Sequence, residues 1–234
     1  MQPAVPAELL ARYDSVGPRY TSYPTAVDFH AGYDEAAYRK SLAAANQLGT
    51  APLSVYTHIP FCVERCWFCG CHTYATHRHE VVGPYIEHVR VEMERVAELL
   101  PDRRRVAQYH LGGGTPTYLT PEELVALVTT FERHFQFLPD AERAIEIDPR
   151  VTTAGHIETL AGVGFNRISM GVQDFDPEVQ QAIGREQPRA TTVALVEQAR
   201  RHGFQGVNLD LIYGLPRQTR DSFRRTVAET IALR

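Results

Sequence analysis

The 234-residue sequence has no run of eighteen apolar residues and so offers no candidate for a membrane-spanning helix. Its N-terminus, Met1-Gln2-Pro3-Ala4-Val5-Pro6, lacks the charged and apolar regions of a signal peptide, and the expectation is a soluble, cytoplasmic protein. Basic residues are not in excess. Against 28 Asp and Glu stand 24 Lys and Arg, a formal net charge of -4, which supplies no chain-wide cationic field and argues against a nucleic-acid partner. Low-complexity linkers, a P-loop and a G-x-G-x-x-G dinucleotide pattern are also missing. Cysteine is scarce, and the four residues present, Cys62, Cys66, Cys69 and Cys71, crowd into one segment. A disulfide framework spreads its cysteines to close long loops, so a disulfide-stapled fold is excluded. The crowding suits ligands to one metal centre in a reducing compartment.

With 44% hydrophobic and 22% charged residues, the chain can bury a sizeable core, which excludes global disorder. The length fits one large domain or part of a larger protein. Residues 1–50 read as an irregular arm, with two prolines and a glycine in Gly17-Pro18-Arg19-Tyr20-Thr21-Ser22-Tyr23-Pro24-Thr25, followed by a helix from Asp34 to Leu48. From residue 51 to 234, short apolar runs alternate with helical periods. Strands are expected at Leu53 to His58, Val106 to Leu111, Ala144 to Ile147, Asn166 to Met170 and Val207 to Ile212. Between them, Ile86, Val89, Met93, Val96 and Leu100 form one amphipathic stripe over Tyr85 to Leu100. Thr120, Pro121 and Glu123 spell a capping box before the next helix, and further helices are expected from Thr153 to Gly162, after Asp176-Pro177, and over Ala190 to His202 and Asp221 to Leu233. Such alternation predicts an α/β fold with parallel strands, either an open doubly wound sheet or a full or partial (β/α) barrel. Arg103-Arg104-Arg105 reads as a solvated loop. The rhythm calls for another strand after Arg234, so a chain cut before its last strand is expected.

The cysteines follow the first strand in Tyr56-Thr57-His58-Ile59-Pro60-Phe61-Cys62-Val63-Glu64-Arg65-Cys66-Trp67-Phe68-Cys69-Gly70-Cys71, and the first three have the spacing C-x3-C-x2-C. Three thiolates on one loop can hold three irons of a four-iron cluster and leave the fourth open to a small chelating molecule. The alternative is zinc, completed by His72, His77 or His79 as a Cys3His set. Strand Val106 to Leu111 runs into Gly112-Gly113-Gly114-Thr115-Pro116-Thr117, which is either a tight packing turn or a ligand-binding loop. Glu146 sits near the end of the third strand, where it either accepts hydrogen bonds from ribose hydroxyls or pairs with an arginine such as Arg167. Gln173-Asp174 and Asp210 also lie at or near C-terminal strand ends, where α/β sheets and barrels place ligands.

These motifs resemble those of the radical S-adenosylmethionine (SAM) superfamily. The resemblance implies a 4Fe-4S cluster whose open iron chelates SAM, and reductive cleavage of SAM to a hydrogen-abstracting 5'-deoxyadenosyl radical. Residues 51–234 are then a radical SAM catalytic domain, an incomplete parallel (β/α) barrel. The segments Gly17 to Ala26, Tyr56-x-His58-Ile59-Pro60-Phe61-Cys62, Phe68-Cys69-Gly70-Cys71, Gly112 to Leu119, Gly164-Phe165-Asn166-Arg167, Ser169 to Phe175 and Asp210 to Pro216 together resemble the oxygen-independent coproporphyrinogen III oxidases. By that resemblance Cys62, Cys66 and Cys69 bind the cluster, and Tyr56, Gly113 and Glu146 bind a first SAM. Phe68, Gly114, Thr115, Gln173, Arg185 and Asp210 contact a second SAM. The implied reaction converts two propionates of coproporphyrinogen III to vinyl groups without oxygen, giving protoporphyrinogen IX in haem biosynthesis. The implied partners are that substrate and an unidentified electron donor, with neither nucleic acid nor membrane, and the full-length form is a monomer. The related haem chaperones are the alternative, although they characteristically lack the fourth cysteine and the arm. Cys71 either packs beside the cluster or acts in the reaction. Arg19 is a candidate partner for the substrate carboxylates, or else part of a tail packed on the barrel. Family members extend further, with a last strand and a helical C-terminal domain, so a 234-residue piece is expected to be poorly active and prone to association.

Overall fold

The computed structural model describes residues 5–15 and 25–234; the motif residues from Gly17 to Pro24, Arg19 among them, lie outside the described residues. The chain divides into two compact units, Met1–Ala44 and Ala45–Arg234. The first contains helix α1 (Ala7–Tyr13), a 3-10 turn at Ala26–Asp28 and most of α2 (Glu35–Asn46). Helix α1 corrects the reading of this region as irregular ahead of Asp34. Ala7, Glu8, Leu9, Leu10 and Ala11 are good helix formers behind Pro6, and the helix stands on that local preference because none of its residues is buried. Helix α2 begins one residue later than expected because Asp34 is its cap, accepting from the Ala37 amide at 2.9 Å.

The second unit is built on strands β1 (Leu53–Ile59), β4 (Arg105–Gly113), β5 (Gln136–Ile147), β6 (Arg167–Gln173) and β7 (Gly206–Leu211), all parallel in the order β1-β4-β5-β6-β7. Between them run α3 (Val82–Leu99), α4 (Pro121–His134), α5 (Ala154–Gly162), the short α6 (Pro177–Ala182) and α7 (Arg189–Arg201), and α8 (Arg220–Ala232) follows β7. Each strand has two chemically different faces, because successive side chains point oppositely. Along β6, Ile168, Met170 and Val172 are buried, while Ser169, Gly171 and Gln173 alternate with them on the other face. Tyr109, Leu111, Ile145 and Ile147 continue the buried face, where Tyr109 stacks on Phe131 of α4 at 4.3 Å. The opposite face carries Gln108, His110, Glu146, Asn208 and Asp210. The sheet is not closed, and among the described residues β1 and β7 are its edges.

Helix α4 starts as its sequence dictates. The Thr120 hydroxyl accepts from the Glu123 amide at 3.3 Å, and Glu123 accepts from the Thr120 amide at 2.8 Å. Strand β5 is longer than expected because Pro139 and Asp140 hide its first half. Its pairing to β4 jumps from Val106 opposite Phe137 to Gln108 opposite Glu142, which lets the ladder pass over a residue without an N–H. Two of the three consecutive arginines are structural rather than solvated. Arg103 donates to the carbonyls of Ala51, Ala45 and Pro52, and Arg104 donates to those of Leu100 and His134, satisfying loop and helix-end carbonyls that would otherwise be unpaired. One unanticipated feature bears on the site. Strands β2 (Phe61–Cys62) and β3 (Tyr74–Ala75) pair in parallel and close the base of the cysteine loop, with the Tyr74 amide donating to Pro60 and the Thr76 amide to Cys62, each at 2.8 Å.

Candidate functional site

Strand β1 delivers the cysteine loop to the C-terminal end of the sheet, and the β2–β3 pair keeps Cys62 there. The loop is also held at its far side, where the Trp67 amide donates to the Ile183 carbonyl at 3.1 Å, and it turns through a bond from the Cys69 amide to Cys66 at 3.1 Å. All four thiols are free. They line one cavity of about 240 Å³ together with Phe68, Gly113, Gly114, Thr115, Glu146, Gln173, Arg185 and Asp210. Six separate loops and strand ends thus converge. Among the residues the resemblance assigns to cluster and SAM, Tyr56 alone is not on that lining. It stands behind it, its ring stacked on His110 at 5.8 Å, and His110 in turn reaches the Glu146 carboxylate at 3.1 Å. Burial, with Glu146 adding to it, pushes the Tyr56 hydroxyl up to about 12, so it stays protonated and able to donate.

The glycine turn serves packing and the cavity together. A Cβ on Gly113, whose φ is +124°, would meet the His58 ring and the Ile59 carbonyl at 2.8 Å, and one on Gly114 would strike the Pro60 carbonyl. The turn therefore lies against the base of the cysteine loop as only glycine permits. The Gly113 amide also donates to Glu146 at 3.3 Å. Glu146 does not pair with Arg167, which instead binds Glu142 at 2.7 Å, so the arginine reading of Glu146 is corrected. Gln173 adopts a left-handed φ of +68°, an uncommon conformation for a non-glycine residue. Asp210 lies on the open face and accepts from Ser169 at 2.9 Å and from Asn208 at 2.6 Å.

The thiols do not share one environment. Burial raises the Cys62 pKa, opposed by a 3.4 Å contact with the Thr115 hydroxyl. Burial and then Cys69 raise that of Cys71. Cys66 instead faces two guanidinium groups, Arg185 Nη1 at 3.3 Å and Arg150 Nη2 at 3.5 Å. Both arginines bind Asp148, at 2.7 Å from Arg150 and 3.0 Å from Arg185. Burial works to raise the Asp148 pKa, but the two cations outweigh it and hold the carboxyl below its usual range. Asp148 and Arg150 are charged lining residues that the sequence placed at a strand end without a specific role. The available signal was the charged pair Asp148-Pro149-Arg150 directly after a strand, at the end of the sheet where ligands bind.

The donor set suits a multi-iron cluster. Four unbridged thiols line one cavity, and soft thiolate donors are the ligands that iron-sulfur clusters take. Of the histidines proposed to complete a zinc site, none is on the cavity lining. His79 binds Glu123 at 3.0 Å and stacks on Tyr118, His77 lines a separate cavity, and the backbone of His72 accepts from His58.

Comparison with known proteins follows the same lines. The chain is 46% identical over 229 residues to the oxygen-independent coproporphyrinogen III oxidase of Pseudomonas aeruginosa, covering 97% of this chain and 50% of that protein. It is 43% identical over 225 residues to the protein of that name from Escherichia coli K12, covering 96% of this chain and 48% of the other. The chain thus spans about half the length of these relatives. The solved structure of the E. coli coproporphyrinogen III oxidase HemN, described as a radical SAM enzyme, superposes with a TM-score of 0.88 at 41% identity, over 97% of this chain and 50% of that one. The family profile described as the Radical SAM superfamily matches residues 56–229, from the start of the cysteine segment through most of α8. With that match over most of its length, a parallel sheet of the same fold and three thiols on its C-terminal end, the chain belongs to the radical SAM superfamily.

Proposed function

We propose that the protein carries out the oxygen-independent oxidative decarboxylation of coproporphyrinogen III, converting two propionate side chains to vinyl groups and yielding protoporphyrinogen IX in haem biosynthesis. The observation that carries this reading is the 46% identity, spread over 97% of the chain, to an oxidase of that name. The relatives do not favour the haem-chaperone alternative. In this reading residues 51–234 form the catalytic domain, Cys62, Cys66 and Cys69 hold the 4Fe-4S cluster, and Cys71 either packs beside it or acts in the reaction. Tyr56, Gly113 and Glu146 hold one SAM; Phe68, Gly114, Thr115, Gln173, Arg185 and Asp210 hold a second.

When bound, cluster and SAM supply the one-electron chemistry and the radical that abstracts hydrogen. The chain's own residues bind and orient. Glu146 has oxygen lone pairs left on the cavity side after accepting from His110 and Gly113, and these suit hydroxyl donors. Arg185 commits four of its five N–H groups to Cys66, Asp148 and the Gly171 carbonyl, so it contributes as a fixed wall with one donor to spare. The reaction takes place in the cytoplasm, in a monomer supplied with electrons by a separate donor. Among the described residues no helix is long and apolar enough to cross a membrane. Anaerobically reconstituted full-length protein, given coproporphyrinogen III, SAM and a reductant, should form a vinyl-bearing product. A preparation fully loaded with iron and sulfide that consumes SAM and leaves both propionates intact would overturn the reading.

A further inference from the structure

Two arginines, one buried and one half-buried, aimed at one sulfur need an explanation. Arg185 and Asp148 have side chains only 8% exposed, and Arg150 is 19% exposed. The Asp148 carboxylate accepts from Nε and Nη2 of Arg150 and from Nη1 of Arg185, and the Arg150 amide closes the loop at 3.0 Å. Arg185 is further fixed to the Gly171 carbonyl at 2.7 Å. One carboxylate does not neutralise two guanidinium groups, so the trio carries a net positive charge, and both cations reach Cys66. Cys62, by contrast, meets only a hydroxyl at 3.4 Å.

We propose that Asp148 is a positioning residue that holds Arg150 and Arg185 against the Cys66 sulfur, and that this cationic pair stabilises the reduced form of the cluster bound there. Adding one electron to a [4Fe-4S]2+ cluster gives [4Fe-4S]+ and increases the negative charge on the sulfurs. Donors and positive charge at a ligand sulfur therefore favour the reduced state, and burial strengthens both effects. In the cell the electron comes from a low-potential one-electron donor, and in the test it comes from dithionite. The pair also makes the three thiolates inequivalent, with Cys66 the best charge-compensated. The inference rests on Cys66 being a cluster ligand, as proposed above.

The test is a redox titration of the anaerobically reconstituted protein, following the reduced cluster by electron paramagnetic resonance, alongside iron content and the apoprotein melting temperature. Arg150→Gln removes one cation and leaves the Asp148–Arg185 pair in place. It should retain iron and make reduction at least tenfold less favourable, a shift of about 59 mV to lower potential for a one-electron couple. Arg150→Lys should recover part of the shift. Asp148→Asn, which frees both arginines, should shift the potential or lose iron at a temperature where its apoprotein, destabilised by loss of the ion pairs, is still folded. Wild-type potential and iron content in both Arg150→Gln and Asp148→Asn would overturn the proposal. So would a loss of iron matched by an unfolded apoprotein, which assigns the trio to structure alone. Cys66→Ser separates the two levels: if it keeps the cluster, the ligand reading itself fails, whereas cluster loss in Cys66→Ser with unshifted Asp148 and Arg150 variants defeats only the role of the trio.

Discussion

Two buried aspartates occupy equivalent places in consecutive βα units and do opposite work. Asp148 follows the last residue of β5, and Asp174 follows the last residue of β6. Asp148 is paired with two arginines and lines the cysteine cavity. Asp174 is held by neutral donors: the Thr226 hydroxyl from α8, the Gln218 amide at 2.6 Å and the Asp176 amide at 2.8 Å. Its bonds fasten the last helix and the loop after β7 to the end of β6. The strand end supplies a buried carboxylate in both cases, and the partners decide its task. Cations held against thiols make a site, while hydroxyls and amides from neighbouring elements make a joint.

The largest expected effect follows from removing the charge that holds two cations. Asp148→Ala leaves the buried Arg185 guanidinium without its counter-ion and should cost about 3–5 kcal/mol of apoprotein stability in denaturant titration. It should also lower iron content after reconstitution; wild-type stability would show that the ion pairs are incidental. Asp174→Ala strands three donors without an acceptor and should cost about 2–3 kcal/mol, yet at a temperature where it stays folded it should load as much iron as wild type. Reduced iron in folded Asp174→Ala would erase the distinction between the two aspartates. Thr226→Val keeps the shape and removes one donor to Asp174, for a loss of about 1–2 kcal/mol, and no measurable loss would mean that Gln218 and the Asp176 amide suffice.

The smallest effect sharpens the same contrast through pH. The Asp148 carboxyl is held below its unfolded value, so its contribution to stability is fully present above the ordinary carboxylate range and is lost as pH falls through its lowered folded value. Apoprotein melting temperature should therefore decline on acidification, and Asp148→Asn should show a flatter acid limb. An acid limb identical in the two proteins would place the titration elsewhere.

Much of this architecture is legible in local spacing. The Thr120 to Glu123 capping box and the stripe through Val89 and Met93 depend only on residues a few positions apart, and each took the form its spacing implied. Other features were hidden because their partners come from far along the chain. Arg103 looks like a surface charge until the carbonyls of Ala45, Ala51 and Pro52 are brought to it. The early half of β5 is masked by Pro139, which a strand pattern rejects but a register jump absorbs. Glu146 was expected at a strand end, and its actual partners, His110 and the Gly113 amide, follow from the β4–β5 neighbourhood.

The sequence by itself determined the thiol-rich loop, the alternation of the main strands and helices and the glycine turn, because thiol spacing, hydrophobic period and conformational freedom are local properties. The tertiary structure alone decided which charges meet which sulfur. Arg185 reaches Cys66 across 119 residues, and Asp148 stands between two arginines only because parallel crossovers bring the ends of β1, β5 and β6 to one side of the sheet. An aspartate after a strand has no preference of its own between serving a site and fastening a helix, since its solvation cost when buried is met by whichever donors the fold supplies.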